Sequence, residues 1–414
     1  MFGRQRSANP STLTRGAPEQ HRRDEVDACS RSTRRTRILF LLSSFRVGGA
    51  ERVMCHLLSS LPRSQFDIHL AVVNPTGPLR SSIPPDVCVH EWKTRRASRS
   101  MFALLRLVWS IRPDRILSTG SQLNVLAGLL RPFYPPGCRL LVRESATVLQ
   151  LGQSWNGWLK PLAAIAYRKA DAVIAQSTAG ANELRNQLHL PHDRVGHIYN
   201  PVPFELIQTT VTSEASPFPA ESAGPHLVSV ARLDPVKRLD HLIEAFTKLL
   251  VHRPNAHLWI VGEGSERADL EELIRSSGLQ NQVHLVGFDN NPWRWMRHAD
   301  LFVLCSQFES LPNSLLEAIA WRCPVVTLDI PGGTREIMEQ LGLESRIVKR
   351  LEDWCDAWFE RPDETTHQRA TDLLGLETIV AQYSRRLVAH ETCIADEADA
   401  EPASNEFPQA AVFN

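Results

Sequence analysis

The sequence lacks an excess of either charge and lacks a long hydrophobic run. Its 46 lysines and arginines balance 46 aspartates and glutamates, so no global basic excess predicts binding to nucleic acid. No apolar run approaches the roughly 18 to 20 residues that a membrane-spanning helix needs. The first 36 residues contain no apolar stretch that could act as a secretory signal, so we expect a cytoplasmic protein.

The sequence also lacks closely spaced cysteines. Its eight cysteines are Cys29, Cys55, Cys88, Cys138, Cys305, Cys323, Cys355 and Cys393. No CxxC pair occurs among them, which argues against a zinc ribbon and a dithiol redox site. We expect buried thiols in a reducing compartment. No strand leads into a GxGxxG motif with an acid about 20 residues later, which disfavours a nicotinamide-dependent dehydrogenase.

The two ends of the chain differ from the rest in composition. The 414 residues are enough for two domains, and the 43% hydrophobic content is that of a globular protein. Residues 1–36 are rich in arginine, and residues 391–414 contain six acids and no lysine or arginine. Neither end can bury enough apolar surface to offset chain entropy, so we predict a disordered basic tail and a disordered acidic tail.

Between the tails, short leucine-rich or β-branched runs alternate with amphipathic helical stretches. This alternation is typical of parallel sheets with crossover helices, so the predicted fold class is α/β. The predicted strands are 37–42, 68–73, 115–118, 139–143 and 172–175 in the first half, and 226–230, 257–261, 283–285, 301–304 and 324–327 in the second. Each half therefore reads as one doubly wound domain.

A change in composition marks the boundary between the halves. Residues 201–225 are rich in proline, serine, threonine and alanine without regular periodicity, which predicts an interdomain connection. We expect a Rossmann-like N-terminal domain over 37–205, a linker over 206–225 and a Rossmann-like C-terminal domain over 226–372. Two such domains in tandem present the carboxyl ends of their strands to a common cleft, where we expect the functional site.

The most informative segment is 301–320, LFVLCSQFESLPNSLLEAIA. A buried strand leads into a loop with Glu309 and Pro312, and a helix begins near Asn313, a good N-cap residue. Backbone N–H groups at a helix start attract phosphate, and Glu309 and Glu317 can accept hydrogen bonds from sugar hydroxyls. The segment predicts a site for a sugar attached to a phosphate, although a surface acid and a first-turn acid would explain each glutamate alone.

Two cations follow the first strand of the second half. Arg232 and Lys237 lie in VARLDPVKRLD, a strand-to-helix loop at the same sheet edge as the loop of Glu309. Fixed cations there can neutralise charge on a departing diphosphate, and each such donor typically contributes about 2.7–4 kcal/mol in the transition state. Either residue alone is equally well explained as a solvated surface charge.

Other strand ends contain glycines that permit close approach of the backbone to a ligand. These residues are Gly48 and Gly49, Gly262 and Gly264 on either side of Glu263, and Gly332 and Gly333 shortly before Glu336. In a further strand-end loop, Phe288 is placed to pack near a nucleotide base. Ordinary tight turns explain these positions as well.

In this order, the motifs resemble those of retaining glycosyltransferases with the GT-B fold, in particular the large group-1 family usually called family 4. The resemblance covers roughly residues 37–390. It is carried by GGAER from Gly48, Arg232-Leu233 with Lys237, Gly262-Glu263-Gly264, the Glu309-to-Glu317 pair, Pro324-Val-Val and Gly332-Gly333. It implies two Rossmann-like domains facing across a cleft, and a terminal helix within 373–390 that packs back on the first domain.

The resemblance also implies an activity. A sugar would move from a nucleotide-diphosphate donor, UDP- or GDP-linked, to an acceptor hydroxyl with retention, in glycan, polysaccharide or glycolipid biosynthesis. Arg232 and Lys237 would bind the diphosphate without a metal, Glu309 the donor sugar and Glu317 the ribose. The remaining implied donor-site residues are Gly262, Glu263, Gly264, Phe288, Leu311, Pro312, Asn313, Ser314, Leu315 and Leu316, the amides of the last six helping to hold the diphosphate. No cofactor is implied.

Three positions depart from the family pattern. Ser310 stands where many members have glycine, which requires a backbone that avoids positive φ. Arg238 follows Lys237 where glycine is frequent. Arg143-Glu144-Ser145 stands where many relatives have a histidine near the reacting hydroxyl, so we assign Glu144 to the acceptor side; a salt bridge between Arg143 and Glu144 is the alternative.

The acceptor side is less defined. Lys93, Arg95, Arg96 and Arg99 precede the amphipathic stretch 101–111, a pattern of segments that lie on anionic membranes. This would suit a lipid-linked acceptor at the inner face of a membrane, although a core-facing crossover helix explains the pattern equally well. Two other functions stay open: a nucleotide-binding relative with a scaffolding role, and a nucleotide-sugar epimerase or phosphorylase.

Overall fold

The computed structural model describes residues 34–46, 48–92, 97–145, 159–211, 215–222 and 224–389. The predicted tails lie outside these residues, apart from positions 34–36, and so do Lys93, Arg95 and Arg96. No helix in the described ranges combines the length and the apolar character that a bilayer span requires.

The first domain is a parallel sheet of seven strands in the order β3-β2-β1-β4-β5-β6-β7. Its strands are β1 Thr36–Ser44, β2 Phe66–Asn74, β3 Cys88–Glu91, β4 Arg115–Thr119, β5 Arg139–Arg143, β6 Ala172–Ala175 and β7 Val195–His197. Its described helices are α1 Gly49–Ser60, α2 Ala97–Ile111, α3 Ser121–Leu130, α4 Leu159–Lys169 and α5 Thr178–Leu188, and α6 Phe204–Val211 follows. The strand order reverses direction at β1, as in doubly wound folds.

The second domain is a parallel sheet of six strands in the order β10-β9-β8-β11-β12-β13. Its strands are β8 His226–Val230, β9 His257–Val261, β10 Val283–Gly287, β11 Leu301–Leu304, β12 Val325–Leu328 and β13 Ile347–Val348. Its helices are α7 Leu239–His252, α8 Arg267–Ser276, α9 Trp293–His298, α10 Asn313–Ala320 and α11 Gly333–Gln340, followed by α12 Glu364–Leu374 and α13 Leu376–Val388. The prediction of two Rossmann-like domains is confirmed.

Alternation of side chains explains why the strands read as continuous apolar runs. In β1, Ile38, Phe40 and Leu42 belong to one buried cluster, whereas Leu39 and Leu41 belong to another on the opposite face. Helices cover both faces of a parallel sheet, so both sets of residues must be apolar. The first of these clusters also contains residues of the second sheet, such as Val228 and Phe302. One hydrophobic core therefore spans both domains.

The segment between the sheets corrects one expectation. Irregular structure was predicted over 201–225, but Phe204–Val211 is helical. Phe204 and Ile207 are one turn apart and buried in the core shared by the domains. This helix has only two turns and contains two threonines, which have low helix propensity. Its hydrophobic periodicity is therefore too short and too weak to be detected in the sequence.

The last two described helices return to the first domain. Tyr383 of α13 is fully buried, and its hydroxyl accepts a hydrogen bond from Arg143 Nε at 3.1 Å. Val202 N donates to Leu374 O at 2.8 Å at the preceding turn, and Arg115 Nη2 donates to Ala389 O at 3.1 Å. The last described helix therefore packs on the N-terminal sheet although it follows the C-terminal one.

The cysteines divide into two groups. Cys55, Cys138, Cys305 and Cys323 are buried free thiols. Cys88 and Cys355 are exposed, so the expectation of burial was wrong for these two. Cys88 is exposed because it begins β3, a four-residue edge strand. Cys29 and Cys393 lie outside the described residues.

Candidate functional site

The centre of the candidate site is an ion pair between two loops of the second domain. Lys237 ends a short 3-10 turn after β8, and Glu309 lies between β11 and α10. Because β8 and β11 are neighbouring parallel strands, their loops leave the same sheet edge. Lys237 Nζ lies 2.5 Å from Glu309 Oε1, and the two side chains are only 18% and 12% exposed. Ser306 Oγ donates to the same oxygen at 2.7 Å.

The backbone around this pair is held by hydrogen bonds and by a glycine. Gln307 N donates to Val236 O at 2.8 Å and Cys305 Sγ to Lys237 O at 3.1 Å, which ties the two loops together. Gly332 has φ of 114° and packs against Glu309, where a Cβ would lie 1.6 Å from the Glu309 carbonyl oxygen. No other residue fits there without moving Glu309.

Arg232 is placed differently from Lys237. Its guanidinium pairs with Asp234 at 2.5 Å, and its side chain is 69% exposed. The structure therefore brings Lys237 into contact with Glu309 and leaves Arg232 at the surface beside Asp234.

The glycine loop after β9 packs on the backbone next to Arg232. Leu233 N donates to Glu263 O at 3.0 Å. A Cβ at Gly264 would lie 2.3 Å from the Leu233 carbonyl oxygen, so the contact requires glycine. The Glu263 carboxylate accepts from Arg267 Nη1 at 2.9 Å. The loop thus positions the segment 231–233, while its acid faces its own helix.

The start of α10 corrects two expectations. Asn313 is the first helical residue, and its side chain does not cap the helix, since Asn313 Oδ1 accepts from Asn200 Nδ2 at 2.6 Å instead. Pro312 has no amide hydrogen to offer a phosphate. The amides of Leu315 and Leu316 donate to Pro312 O. Within residues 311–316, the amides of Leu311, Asn313 and Ser314 are left as candidate hydrogen-bond donors to a phosphate.

Glu317 lies on α10 and is paired across the domains. Arg52 Nη1 of α1 is 3.5 Å from Glu317 Oε1, and the two side chains are 25% and 12% exposed. Burial raises the pKa of the Glu317 carboxyl, and the charge of Arg52 opposes this shift. The pair is one direct link between the first helix and the proposed ribose site.

The loops of the first domain meet α10 and α11 directly. Gly49, at the start of α1, lies against Asn313, and a Cβ there would be 2.5 Å from Asn313 Nδ2. Gly48 precedes it, with the Glu51 carboxylate beside it. Ser177 Oγ donates to Ser310 O at 3.3 Å. Ser310 does not have a positive φ. A serine therefore fits at this position, where many family members have glycine.

Glu336 of α11 is a second carboxylate between the domains. It accepts from Thr178 N and Ala179 N at 3.0 Å each, and from Tyr199 Oη at 2.6 Å. Burial opposes its ionisation, but these hydrogen bonds hold its pKa below the ordinary value. Glu336 therefore binds the start of α5 rather than standing open in the cleft. The sequence did not identify Tyr199 or Asn200, since neither belongs to a motif.

Arg143 and Glu144 are both buried, and neither forms the salt bridge considered from the sequence. Arg143 donates to Asn200 Oδ1 at 2.6 Å. Glu144 accepts from Ser121 Oγ at 3.1 Å and from the hydroxyl of Tyr167. Arg143 is 0% and Glu144 1% exposed. Both charged side chains are enclosed by hydrogen-bonding groups, which come from the first domain and from α13.

A large cleft lies next to the ion pair between Arg52 and Glu317. Its volume is about 1770 Å³, and Arg52 and His56 of α1 face Phe288 and Trp293 across it. Phe288 is 50% exposed. Burial, with a smaller effect of Arg52, lowers the pKa of His56 to about 4. The cleft is bounded on another side by α13, so three parts of the chain form its walls.

Two protein families match this chain, one on each domain. The family described as Glycosyltransferase Family 4 matches residues 47–206. The family described as Glycosyl transferases group 1 matches residues 214–350, the segment that contains Lys237, Glu309 and Glu317.

Relatives with curated names are similar over most of the chain. N-acetylgalactosamine-N,N'-diacetylbacillosaminyl-diphospho-undecaprenol 4-alpha-N-acetylgalactosaminyltransferase of Campylobacter jejuni is 28% identical over 72% of this chain and 82% of its own length. The lipopolysaccharide core biosynthesis glycosyltransferase LpsE of Rhizobium meliloti is 24% identical over 82% and 93%. Among solved structures, Anabaena HepE in complex with UDP-glucose matches with a TM-score of 0.67, 20% identity, and coverage of 85% and 99%. The last comparison shows a shared fold.

Proposed function

The chain belongs to the group 1 glycosyltransferases with the GT-B fold, and from this membership we propose a specific reaction. The protein transfers a sugar from a nucleotide-diphosphate sugar to an acceptor hydroxyl, with retention at the anomeric carbon and without a catalytic metal. Its product belongs to glycan, polysaccharide or glycolipid biosynthesis. The observation that carries the proposal is the half-buried ion pair between Lys237 and Glu309, at the sheet edge where the start of α10 offers backbone amides.

The donor diphosphate binds between Lys237 and the start of α10. The Lys237 ammonium and the amides of Leu311, Asn313 and Ser314 contact the phosphate oxygens, because a cation and a helix start both favour negative charge. Arg232 turns from Asp234 to the outer phosphate, and its high exposure leaves it free to reorient. These groups supply the positive charge that a metal ion supplies in other transferases.

The two acids hold the sugars on either side of the diphosphate. Glu309 accepts hydrogen bonds from the donor sugar while the contact with Lys237 holds its carboxylate in place. Glu317 accepts hydrogen bonds from the ribose hydroxyls, and the Arg52 guanidinium contacts both this carboxylate and the donor. The base lies toward Phe288 at the wall of the cleft. UDP-glucose in the structure of Anabaena HepE supports a uridine donor; a guanosine donor is the alternative.

Retention follows without a protein nucleophile. The bond between the anomeric carbon and the phosphate oxygen breaks, and the bond to the acceptor oxygen forms on the same face. The acceptor proton passes to the departing phosphate oxygen, and the positive groups around the diphosphate stabilise its growing charge. Glu309 and Glu317 are therefore not the acid and nucleophile of a retaining hydrolase. Glu144 is assigned to orienting the acceptor from the first domain.

The test is a transfer assay with a set of UDP- and GDP-sugars and a polyprenol-diphosphate glycan acceptor, in buffer with a chelator. We expect product with the anomeric configuration of the donor, and we expect Glu309→Gln to reduce turnover at least about 100-fold with unchanged thermal stability. Inverted product would contradict retention, and dependence on added divalent metal would contradict metal independence. Donor binding without any transfer would indicate a scaffolding protein instead.

A patch on the first domain supports a membrane-bound acceptor. Met101, Phe102 and Trp109 of α2 are exposed large apolar side chains, and so is Phe133, which follows α3. Trp109 Nε1 donates to Phe133 O at 2.9 Å, which joins two parts of the patch. We propose that this patch contacts an anionic bilayer that carries the acceptor lipid. The diphospho-undecaprenol substrate named for the Campylobacter relative supports this assignment.

Vesicle co-sedimentation tests the membrane contact. We expect Phe102→Asp with Trp109→Asp to abolish binding to vesicles with acidic phospholipid, because two apolar side chains are lost and negative charge is added. Val251→Asp is the control, since Val251 is 78% exposed on the second domain. Equal binding by the wild type and both variants would overturn the proposed patch while leaving the transfer reaction untouched.

A further inference from the structure

Three metal-binding side chains meet at the outer edge of the N-terminal sheet. His69 lies on β2, and Cys88 and His90 lie on β3, the edge strand. In the parallel register, His69 is paired with Cys88 and Ala71 with His90. Because side chains alternate along a strand, Cys88 and His90 project from the same face of β3.

The distances suit one small ion. One ligand atom from each of the three residues lies within 4.8 Å of the others. His69 Nδ1 is 3.2 Å from His90 Nε2. Two nitrogens bound to one tetrahedral Zn²⁺ at about 2.0–2.1 Å would lie about 3.3 Å apart. The nitrogen pair is therefore already at the separation that zinc requires.

The outer nitrogen of His69 has a carboxylate partner. His69 Nε2 is 3.7 Å from Asp67 Oδ2, so Nδ1 is the nitrogen that faces His90. Histidine ligands of metals commonly have a carboxylate on the side of their second nitrogen, and Asp67 occupies that position at ion-pair distance. Arg37 Nε donates to the same Asp67 oxygen at 2.8 Å and keeps the carboxylate in place.

The second domain contains a similar histidine pair without a cysteine. His257 Nδ1 on β9 lies 3.2 Å from His284 Nε2 on β10, with ring centroids 5.5 Å apart, as in the pair of His69 and His90. There, however, the indole of Trp259 stacks on His284 at 4.0 Å. Over the ranges that the structure describes, only the group with Cys88 brings three metal-binding residues so close.

We propose that His69, Cys88 and His90 bind a Zn²⁺ ion, a site separate from the sugar-transfer reaction. Two imidazoles and a thiolate match the borderline-soft preference of zinc, and three protein ligands leave a fourth position for water. The ion joins the edge strand β3 to β2. None of its ligands lines the interdomain cleft, so its loss leaves the chemistry of transfer intact.

The test uses the full chain, freed of metal by chelation and titrated with Co²⁺ as a spectroscopic probe. We expect one equivalent to bind with the visible absorption of a tetrahedral site and a thiolate-to-cobalt charge-transfer band, both removed by added Zn²⁺. Cys88→Ser should abolish the charge-transfer band, and His90→Gln should weaken zinc binding at least about 10-fold. The melting temperature of the wild type should rise with zinc concentration.

Two variants serve as matched controls. His284→Gln alters the histidine pair of the second domain, and Cys355→Ser removes the other exposed thiol among the described cysteines; neither should change the cobalt spectrum. A charge-transfer band that survives Cys88→Ser, or that disappears in either control, would overturn the site. So would a wild-type chain that binds Zn²⁺ no better than the Cys88→Ser variant, provided that both chains melt at the same temperature in chelator.

Discussion

The two domains hold their charges in different ways. In the second domain, Lys237 and Glu309 pair with each other in a loop region and keep some exposure. In the first domain, Arg143 lies at a strand end and is fully enclosed. Arg143 is bonded to neutral groups, including Asn200 and the hydroxyl of Tyr383. A charge that a substrate can reach serves chemistry, whereas a charge enclosed by neutral donors and acceptors holds the structure together.

The largest effect that would sharpen this comparison is on catalysis. We expect Lys237→Ala to reduce turnover about 10²- to 10³-fold, since the variant loses a fixed positive group beside the departing diphosphate. The melting temperature should change little, because Glu309 keeps its hydrogen bond from Ser306 and some contact with solvent. Steady-state kinetics and a thermal melt check this. Lys248→Ala is the control, since Lys248 is 58% exposed on α7; an equal loss in both variants would remove Lys237 from the site.

The next effect is on stability and belongs to the first domain. We expect Arg143→Met to lower the free energy of unfolding by about 2–3 kcal/mol, because Asn200 and Tyr383 lose a buried charged donor. Denaturant titration measures this loss. If the variant kept wild-type stability and instead lost turnover to the extent expected for Lys237→Ala, Arg143 would have a catalytic role, and the proposed difference between the two domains would be wrong.

A third prediction concerns the pH dependence of stability that arises from His56, which lies on the side of the cleft formed by the first domain. The pKa of His56 falls from 6.5 to about 4 on folding, because burial and then Arg52 oppose its charge. A depressed pKa contributes stability above pH 6.5, and this contribution is lost as the pH falls toward 4. We expect His56→Gln to flatten the decline in unfolding free energy over that interval, by on the order of 1–2 kcal/mol. Parallel curves for both proteins would contradict the assignment.

The smallest effect lies next to Lys237. Arg238 has a φ of 49°, in the left-handed region, at the position where the resemblance described above leads us to expect glycine. We expect Arg238→Gly to change the unfolding free energy by less than about 1 kcal/mol, because relief of the strained backbone is offset by greater freedom of the unfolded chain. Turnover should be kept. A large loss of turnover would mean that the Arg238 side chain itself contributes to the site.

Local patterns were sufficient for most strands. The predictions of strands 139–143, 172–175, 226–230, 257–261 and 301–304 agree with the structure at both ends. The strands that were missed are β3, β7 and β13, which have four, three and two residues. Such short edge strands have too few residues to show a period, and their pairing depends on the neighbouring strand rather than on their own composition.

The site could be predicted in the second domain and not between the domains. The sequence predicted that the loops of Lys237 and Glu309 leave the same sheet edge, and the two residues come together because their strands are neighbours in the sheet. The pair of Arg52 and Glu317, and the contact of Asn200 with Asn313, depend on how two separate sheets dock. No local pattern encodes that docking. The prediction that Asn313 caps α10 was wrong for the same reason, because the partner of its side chain, Asn200, lies in the other domain.

The return of α13 to the N-terminal sheet has a consequence for synthesis on the ribosome. Ile379, Tyr383 and Leu387 are fully buried in the core that also contains Ile38 and Phe40 of the first strand. A nascent chain can form the first sheet early, but that sheet keeps an uncovered apolar face until almost the whole polypeptide has emerged. A prematurely terminated product that ends before residue 376 exposes this face, and quality-control proteases act on such surfaces. Only a chain translated through α13 encloses both sheets in one core.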